Sequence, residues 1–171
     1  MHVMIATDGH VKPHQGAMFA ASLGAGGKVT VLTVVEVPRS MFEAMREAGT
    51  LANTSSNPSQ SAHSREGVAQ GQGASSTHWM GDDAAIAQYI NARSLDATGP
   101  LCAELDALDV AYEVVALESE EAAATILEEA DAREVDVLFI GTRKLRRFDG
   151  LLGSISTKIA RNATCSVLLI R

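Results

Sequence analysis

Five short runs of apolar, largely β-branched residues constrain the fold of this chain more than any other feature of its sequence. Within each run most positions are apolar in succession rather than in alternation, which is typical of strands that are buried on both faces of a parallel sheet. Segments with helical spacing separate the runs, and this alternation predicts an α/β protein with a layered sheet. The predicted strands are residues 2–7, 29–37, 112–117, 135–140 and 166–170.

Three of the helical segments carry recognisable start signals. The first is expected from about Pro13 to Leu23, because proline suits the opening position of a helix. Ser119 is expected to cap a later helix with its hydroxyl. Ser154 is expected to cap the last helix in the same way, and Ile155 and Ile159 are then expected to face the core.

One region departs from the alternation of strands and helices. Residues 49–81 are rich in Ser, Gly, Gln and Asn and show neither period. Because such a segment cannot bury enough apolar surface to offset its ordering entropy, we interpret it as a polar, disordered insertion in a single domain of residues 1–171. Trp79 within it either folds back onto the domain surface or anchors a protein partner. Beyond the insertion, Pro100 predicts a kink or break in the helical pattern at Gly99-Pro100.

Composition excludes several classes of protein. The formal net charge is −7, which argues against a nucleic-acid partner, since that role needs a basic surface. No apolar run approaches the roughly 20 residues that span a bilayer, so no membrane partner is expected. The first residues lack the features of a signal peptide, and two cysteines, Cys102 and Cys165, do not make a disulfide framework. We therefore expect a cytoplasmic protein.

The residues that follow the predicted strands suggest a ligand site. In open parallel sheets, ligands bind beyond the carboxyl ends of the strands. Ala6-Thr7-Asp8-Gly9 follows the first strand, Val34 lies near the end of the second, and Gly141 follows the fourth. Gly153-Ser154 then opens a helix, whose N–H groups and dipole favour an anion. Basic side chains between the two glycines strengthen the prediction of a phosphate site.

The segments IATDG, VTVLTVVEVP, VDVLFIGTR and LLGSISTKIARNATCSVLLIR resemble the universal stress protein family. The resemblance covers residues 2–48 and about 84–171, and its C-terminal block is the most specific part. It implies an open five-stranded parallel sheet in the order 3-2-1-4-5 with helices on both faces, the adenine nucleotide alpha hydrolase-like fold. It also implies a homodimer, formed in many members through the last strand, here residues 166–171.

Many members of that family bind ATP through the signature Gly-x2-Gly-x9-Gly-Ser/Thr. Gly141 and Gly153-Ser154 match its two ends, but Lys144 replaces the second glycine and the segment is one residue short. If the backbone at the second glycine needs a positive φ, Lys144 in that position destabilises the loop by on the order of 1 kcal/mol. One missing residue also shortens the span that the loop can bridge by about 3.5 Å. The cationic side chains between the glycines would nevertheless attract a triphosphate.

Two functions are therefore open. The first is a regulatory protein that binds an adenine nucleotide. If that nucleotide is ATP, Mg²⁺ is expected to bind with it. The second is a dimeric interaction module that has lost nucleotide binding. The candidate nucleotide-binding residues implied by the strand ends and the resemblance are Ala6, Thr7, Asp8, Val34, Ile140, Gly141, Arg143, Lys144, Gly153, Ser154, Ile155 and Ser156.

Catalytic and metal chemistry have little support in the sequence. No nucleophile–base pairing can be recognised, so no catalytic residue is assigned and an enzyme would be at most a slow ATPase. His10 and His14 have i,i+4 spacing, but His10 precedes the helix start at Pro13, so the two rings need not share a face. No metal site is therefore assigned.

Overall fold

The computed structural model describes residues 1–40, 43, 77–141 and 153–170. The chain divides into two compact units, the first formed by Met1–Val37 with Tyr89–Arg171 and the second by Pro38–Gln88. Most of the predicted insertion, residues 49–76, lies outside the described residues, as does the side chain of Trp79. A single domain with a disordered insertion, and a partner site on that insertion, therefore stay predictions.

Five parallel strands form one sheet in the first unit, in the order β3-β2-β1-β4-β5. The central strand β1 is buried along its whole length and pairs Ile5 with Val31 on one side and with Phe139 on the other. The predicted α/β fold and the strand order 3-2-1-4-5 are confirmed. The strands are β1 His2–Ala6, β2 Lys28–Val35, β3 Glu113–Glu118, β4 Val137–Gly141 and β5 Ser166–Ile170.

The edge strand β3 differs from the other predicted strands. Its residues alternate between half-buried and exposed, and Val114 is 45% exposed. Burial on both faces was expected from its apolar run, and for this strand that expectation is wrong. In β5, the other edge strand, only Ile170 is fully buried. An edge strand has a neighbour on one side only, and a helix layer that covers the centre of a twisted sheet need not extend over its edge.

Two apolar cores lie on opposite faces of the sheet. On one face, Val3 and Ile5 of β1 pack with residues of the helices Pro13–Leu23 and Thr77–Ala107. On the other face, Met4 of β1 packs with residues of the helices Ala122–Ala132 and Ser154–Asn162. Alternate residues of one strand thus serve the two cores, as strand geometry requires. In chain order these helices are α1 Pro13–Leu23, α2 Thr77–Ala107, α3 Ala122–Ala132 and α4 Ser154–Asn162.

Helix α1 has the predicted bounds, whereas α2 differs from the prediction at two places. It begins at Thr77, so the last five residues of the predicted insertion are helical. It also continues through Pro100, and the predicted break does not occur. Leu101 and Leu105, just beyond the proline, are fully packed in the first core. Their burial offsets the hydrogen bond that proline removes.

The predicted serine caps are wrong by two residues at Ser119 and by one residue at Ser154. Helix α3 begins at Ala122 with Glu121 at its N-cap, and the Ser119 hydroxyl instead accepts a hydrogen bond of 3.0 Å from the Glu121 N–H. Helix α4 has Gly153 at its N-cap and Ser154 as its first residue. Ile155 was expected to face the core, but it is 45% exposed at the start of the helix, whereas Ile159 is buried as expected. Within the described ranges, no helix is long and apolar enough to cross a membrane.

Candidate functional site

A cleft of about 680 Å³ lies at the carboxyl ends of the strands. Its floor is formed by Ala6 of β1, Leu32 and Val34 of β2, and Ile140 and Gly141 of β4. The strand order reverses between β1 and β4, because β2 and β3 follow one another on one side of β1, whereas β4 and β5 lie on the other side. This is the position at which open parallel sheets bind ligands.

Most of the candidate residues from the sequence meet at this cleft. Ten of the twelve line it, and they come from four separate segments of the chain. Arg143 and Lys144 lie outside the described residues, so the effect of the altered second glycine stays open. The ten residues are Ala6, Thr7, Asp8, Val34, Ile140, Gly141, Gly153, Ser154, Ile155 and Ser156.

The turn after β1 is held by its own side chains. The Thr7 hydroxyl accepts a hydrogen bond of 3.0 Å from the Gly9 N–H, and an Asp8 carboxylate oxygen accepts one of 3.2 Å from the His10 N–H. Gly9 has φ +89°, and a Cβ placed there would lie 3.5 Å from the Cα of Ala97. Glycine therefore suits the left-handed turn, α2 packs beside it at ordinary contact distance, and the turn sets Asp8 at the edge of the cleft.

The start of α4 forms the opposite wall. Thr157 N–H donates to the Gly153 carbonyl at 2.9 Å, so the helical ladder begins there and the N–H groups of Ser154, Ile155 and Ser156 have no acceptor within the helix. The Ser156 hydroxyl donates to the carbonyl of Gly141 at 3.2 Å. That bond ties the helix start to the end of β4, so the Ser156 hydroxyl proton is engaged within the protein.

The two glycines that bound the loop between β4 and α4 differ in what surrounds them. A Cβ on Gly141 would lie 3.1 Å from Val11 Cγ2 and 3.3 Å from the Val11 nitrogen, so a side chain there would require Val11 to shift by a few tenths of an ångström. Gly153 has φ −61°, which suits any residue, and no described residue lies within 4 Å of a Cβ placed on it. Gly153 lines the cleft, and none of the described residues crowds it.

The cleft has further walls that sequence reasoning missed. Ser119 to Glu121 lie between β3 and α3, and Ala122 and Ala123 begin α3, so the rule that selects strand ends would have found this segment. Lys158 lies one turn beyond Ser154 on α4, and helical spacing would have found it. Glu36 directly follows β2, so the strand-end rule applies to it as well. Arg93 carries no such signal, since only tertiary packing shows that it reaches the cleft. The missed lining residues are Leu32, Glu36, Arg93, Ser119, Glu120, Glu121, Ala122, Ala123, Ile126 and Lys158.

Charges of both signs line the cleft. Among its described residues are four carboxylates, from Asp8, Glu36, Glu120 and Glu121, and two cations. One cation, Lys158, places its Nζ 3.6 Å from Glu121 Oε2. Both of those side chains are largely exposed, so their attraction is screened by water and contributes little to stability.

The two histidines considered as metal ligands do not converge. His10 Nδ1 lies 3.1 Å from Asp8 Oδ1, whereas His14 Nδ1 lies 3.0 Å from Glu104 Oε2. In the described part of the chain, no three His, Cys, Asp or Glu side chains are grouped so as to hold a metal ion. Each ring is oriented by a different carboxylate.

Comparison with known proteins agrees with the fold. A universal stress protein solved in complex with cAMP is 16% identical, with a TM-score of 0.54, and the match covers 100% of this chain and 96% of that one. The structure of a universal stress protein from Archaeoglobus fulgidus is 16% identical at a TM-score of 0.52, covering 100% and 93%. A universal stress protein family member from Arabidopsis thaliana with AMP bound is 15% identical at 0.52, covering 99% and 90%.

At these identities the structural likeness concerns the fold. Among curated proteins none matches this chain. The family model described as "Universal stress protein family" matches residues 1–171, which includes all four segments that carry the sequence resemblance. The chain therefore belongs to the universal stress protein family.

Proposed function

We propose that this protein is a regulatory protein that binds an adenine nucleotide in the cleft at the carboxyl ends of β1, β2 and β4. The observation that supports this is the convergence of four chain segments, around Ala6, Val34, Ile140 and Gly153, on one cavity of about 680 Å³. That volume falls in the range of small-ligand pockets. In this proposal, occupancy alters the cleft surface and thereby the affinity for a partner.

The chemistry of the walls suits the parts of a nucleotide. Ala6, Val34 and Ile140 offer apolar surface to a base. The Asp8 carboxylate is suited to accept hydrogen bonds from ribose hydroxyls, and the start of α4 at Ser154 offers N–H groups and a positive dipole end to a phosphate. Two solved structures of similar fold were obtained with cAMP and with AMP, which supports an adenine nucleotide as the ligand class.

With ATP we expect Mg²⁺ to enter together with the triphosphate. The described residues do not group three metal ligands, but Glu120 and Glu121 line the cleft and carboxylates are ligands that Mg²⁺ accepts. Magnesium usually takes only one or two carboxylates and completes its shell with phosphate oxygens and water. These carboxylates would therefore assist a metal brought by the nucleotide.

Isothermal titration of the full chain with AMP, cAMP and ATP tests the proposal, with ATP measured both with and without MgCl₂. We expect saturable heat with at least one of the three, and weaker or no heat with GMP as the control. A chain that melts normally but shows neither heat nor a thermal shift with any adenine nucleotide contradicts nucleotide binding. The interaction module would then be the remaining function.

We further propose a homodimer formed through β5, because that strand is an edge of the sheet. Val167, Leu168 and Leu169 in it are only partly buried, and edge strands with apolar side chains pair readily. Native mass spectrometry over a concentration series is expected to give the dimer mass. A monomer throughout that series would rule out this interface.

A further inference from the structure

We propose that Arg93 is a phosphate-binding residue of the cleft, contributed by α2 and lying outside the glycine loop. This inference rests on the proposed function and adds a specificity determinant to it. No sequence pattern marks Arg93. Its candidacy comes from its place on the cleft lining, from the path of α2, and from the charges around it.

The contact between α2 and the β1 turn places Arg93 at the rim. The Cα of Ala97 would lie 3.5 Å from a Cβ placed on Gly9, so this part of α2 packs directly against the turn that carries Asp8. Arg93 precedes Ala97 by four residues and therefore lies on the same face of the helix, about one pitch of 5.4 Å away. Leu101 and Leu105, further along α2, are buried in the core. The helix thus runs from the core to the cleft, where Arg93 is exposed.

Arg93 and Lys158 approach the cleft from different faces of the sheet. Residues of α2 pack in the first core and residues of α4 in the second, while both side chains line the cleft. A phosphate at the start of α4 therefore has a cation on its own helix and a second cation across the strand ends. The two could contact the anion from opposite directions.

The two cations differ in their partners. Lys158 has its ammonium 3.6 Å from the Glu121 carboxylate. Within the described part of the chain, no carboxylate forms an ion pair with Arg93, although four carboxylates line the same cleft. The Arg93 guanidinium can therefore bind a phosphate at the start of α4, where the helix dipole favours an anion. Its planar fork can bond to two phosphate oxygens at once.

The experiment compares AMP with adenosine, which differ only in the phosphate. Isothermal titration of Arg93→Ala is expected to show AMP affinity reduced about tenfold, the lower end of the effect of losing a charge-assisted hydrogen bond, because Arg93 is exposed. Adenosine affinity is expected to stay within about twofold of the wild-type value. Arg93→Lys, which keeps the charge but not the fork, is expected to recover part of the AMP affinity.

Arg161→Ala is the matched control. Arg161 is an exposed arginine in the last turn of α4 and is not among the residues that line the cleft, so its removal changes the net charge equally and should leave AMP affinity within about twofold. Thermal melts of each variant check that the fold is retained.

Each remaining outcome overturns the inference in a recognisable way. Unchanged AMP affinity in Arg93→Ala excludes a phosphate contact. Equal losses for AMP and adenosine assign Arg93 to the base or ribose, or to the shape of the cleft. An equal loss of AMP affinity in Arg161→Ala means that the change in net charge causes the loss. If wild-type protein binds neither ligand, nucleotide binding itself fails, and the wild-type titration alone reveals it.

Discussion

The polar side chains at the two ends of the parallel sheet differ in their surroundings. At the amino end, the ring of His2 is only 8% exposed, with Nδ1 2.9 Å from the Arg133 carbonyl and Nε2 2.9 Å from the Thr30 hydroxyl. Thr30 donates in turn to Glu113 at 3.2 Å. At the carboxyl end, the polar groups line an open cleft. We call the side chains of His2, Thr30, Glu113 and Arg133 the amino-end network.

The amino-end network satisfies its groups within the protein. Arg133 bonds to Glu113 and, at 2.7 Å, to Glu129, while Lys28 Nζ lies 3.4 Å from Glu113. Among the described residues, no buried side-chain nitrogen or oxygen lacks a partner. Buried polar groups that are bonded to one another stabilise the fold, whereas the polar side chains of the cleft face a volume of about 680 Å³ that a ligand can enter. Substitutions at the two ends should therefore separate stability from binding.

The largest expected effect is on stability, from His2→Ala. The substitution leaves a cavity, removes the ring that bonds the Arg133 carbonyl and removes one of the two partners of the Thr30 hydroxyl. Together these losses should lower the free energy of unfolding by about 2–3 kcal/mol. The melting temperature should fall by about 5–10 °C, measured by circular dichroism. Nucleotide affinity should not change at temperatures where the variant is folded.

His14→Ala is the control for that experiment. The His14 side chain is 74% exposed and its ring lies 3.0 Å from the Glu104 carboxylate, so its loss should cost less than about 0.5 kcal/mol. Similar losses in the two variants would mean that burial of His2 is unimportant.

At the carboxyl end, Gly153→Asp should lower nucleotide affinity without lowering stability, which is the reverse of the effect expected for His2→Ala. Gly153 is the N-cap of α4, with φ −61° and ψ 162°, a backbone that aspartate adopts readily as a cap. The new carboxylate should stabilise the helix start by about 0.5–1 kcal/mol. It would also place a negative charge where the proposed phosphate binds, so AMP affinity should fall by about tenfold or more.

Gly153→Asn separates charge from bulk in that test. Asparagine caps helices about as well as aspartate but is neutral, so it should retain more AMP affinity than Gly153→Asp. Unchanged affinity in both variants would place the ligand away from the start of α4.

A third prediction concerns acid stability at the amino end. Burial alone would raise the pKa of the Glu113 carboxyl, but the hydrogen bond from Thr30 and the charges of Lys28 and Arg133 outweigh burial and hold that pKa below its usual value. A carboxyl with a lowered pKa in the folded state contributes stability above its unfolded pKa. That contribution is lost as pH falls through the folded pKa.

Glu113→Gln should therefore cost about 1 kcal/mol at pH 7, a modest value because the side chain is 41% exposed. The difference from wild type should shrink as the pH falls from about 5 to 3, measured by urea unfolding. Glu128→Gln, at an exposed position of α3, should show neither effect. A constant difference at all pH values would contradict the ionic origin.

The same comparison explains what the sequence could predict. Strand ends and a helix start are local features, so Asp8, Val34, Gly141 and Gly153 could be assigned to one site from the sequence alone, given the rule for parallel sheets. The strand order came from the family resemblance. Arg93 could not be found, because it reaches the cleft only through the packing of α2 on Gly9.

The wrong and missing predictions have physical causes as well. Pro100 was expected to interrupt α2, but burial of Leu101 and Leu105 prevails over the local preference. A serine before a helical pattern fixes the helix start only to within one or two residues. Ile155 is exposed although it shares a helix face with the buried Ile159, because it lies at the cleft. The amino-end network was missed entirely, because His2 and Glu113 are 111 positions apart and only strand pairing through β2 connects them.

The smallest expected effect concerns Lys158, whose ammonium is held near Glu121 at 3.6 Å, with the two side chains 62% and 74% exposed. Glu121→Gln should change the free energy of unfolding by less than about 0.5 kcal/mol, because exposed ion pairs contribute little. It should raise AMP affinity about two- to threefold, since it releases Lys158 and removes a negative charge from the cleft. The gain should be largest at low salt, where screening is weakest.

Glu120→Gln distinguishes these two causes of the gain. Glu120 also lines the cleft, but Lys158 is paired with Glu121, so this variant removes the same charge and leaves the ion pair in place. If release of Lys158 matters, Glu121→Gln should bind AMP more tightly than Glu120→Gln when both are titrated at one ionic strength. Equal gains in AMP affinity would mean that only the electrostatic potential of the cleft matters. A loss of AMP affinity in Glu121→Gln would mean that the Glu121 carboxylate itself contacts the ligand.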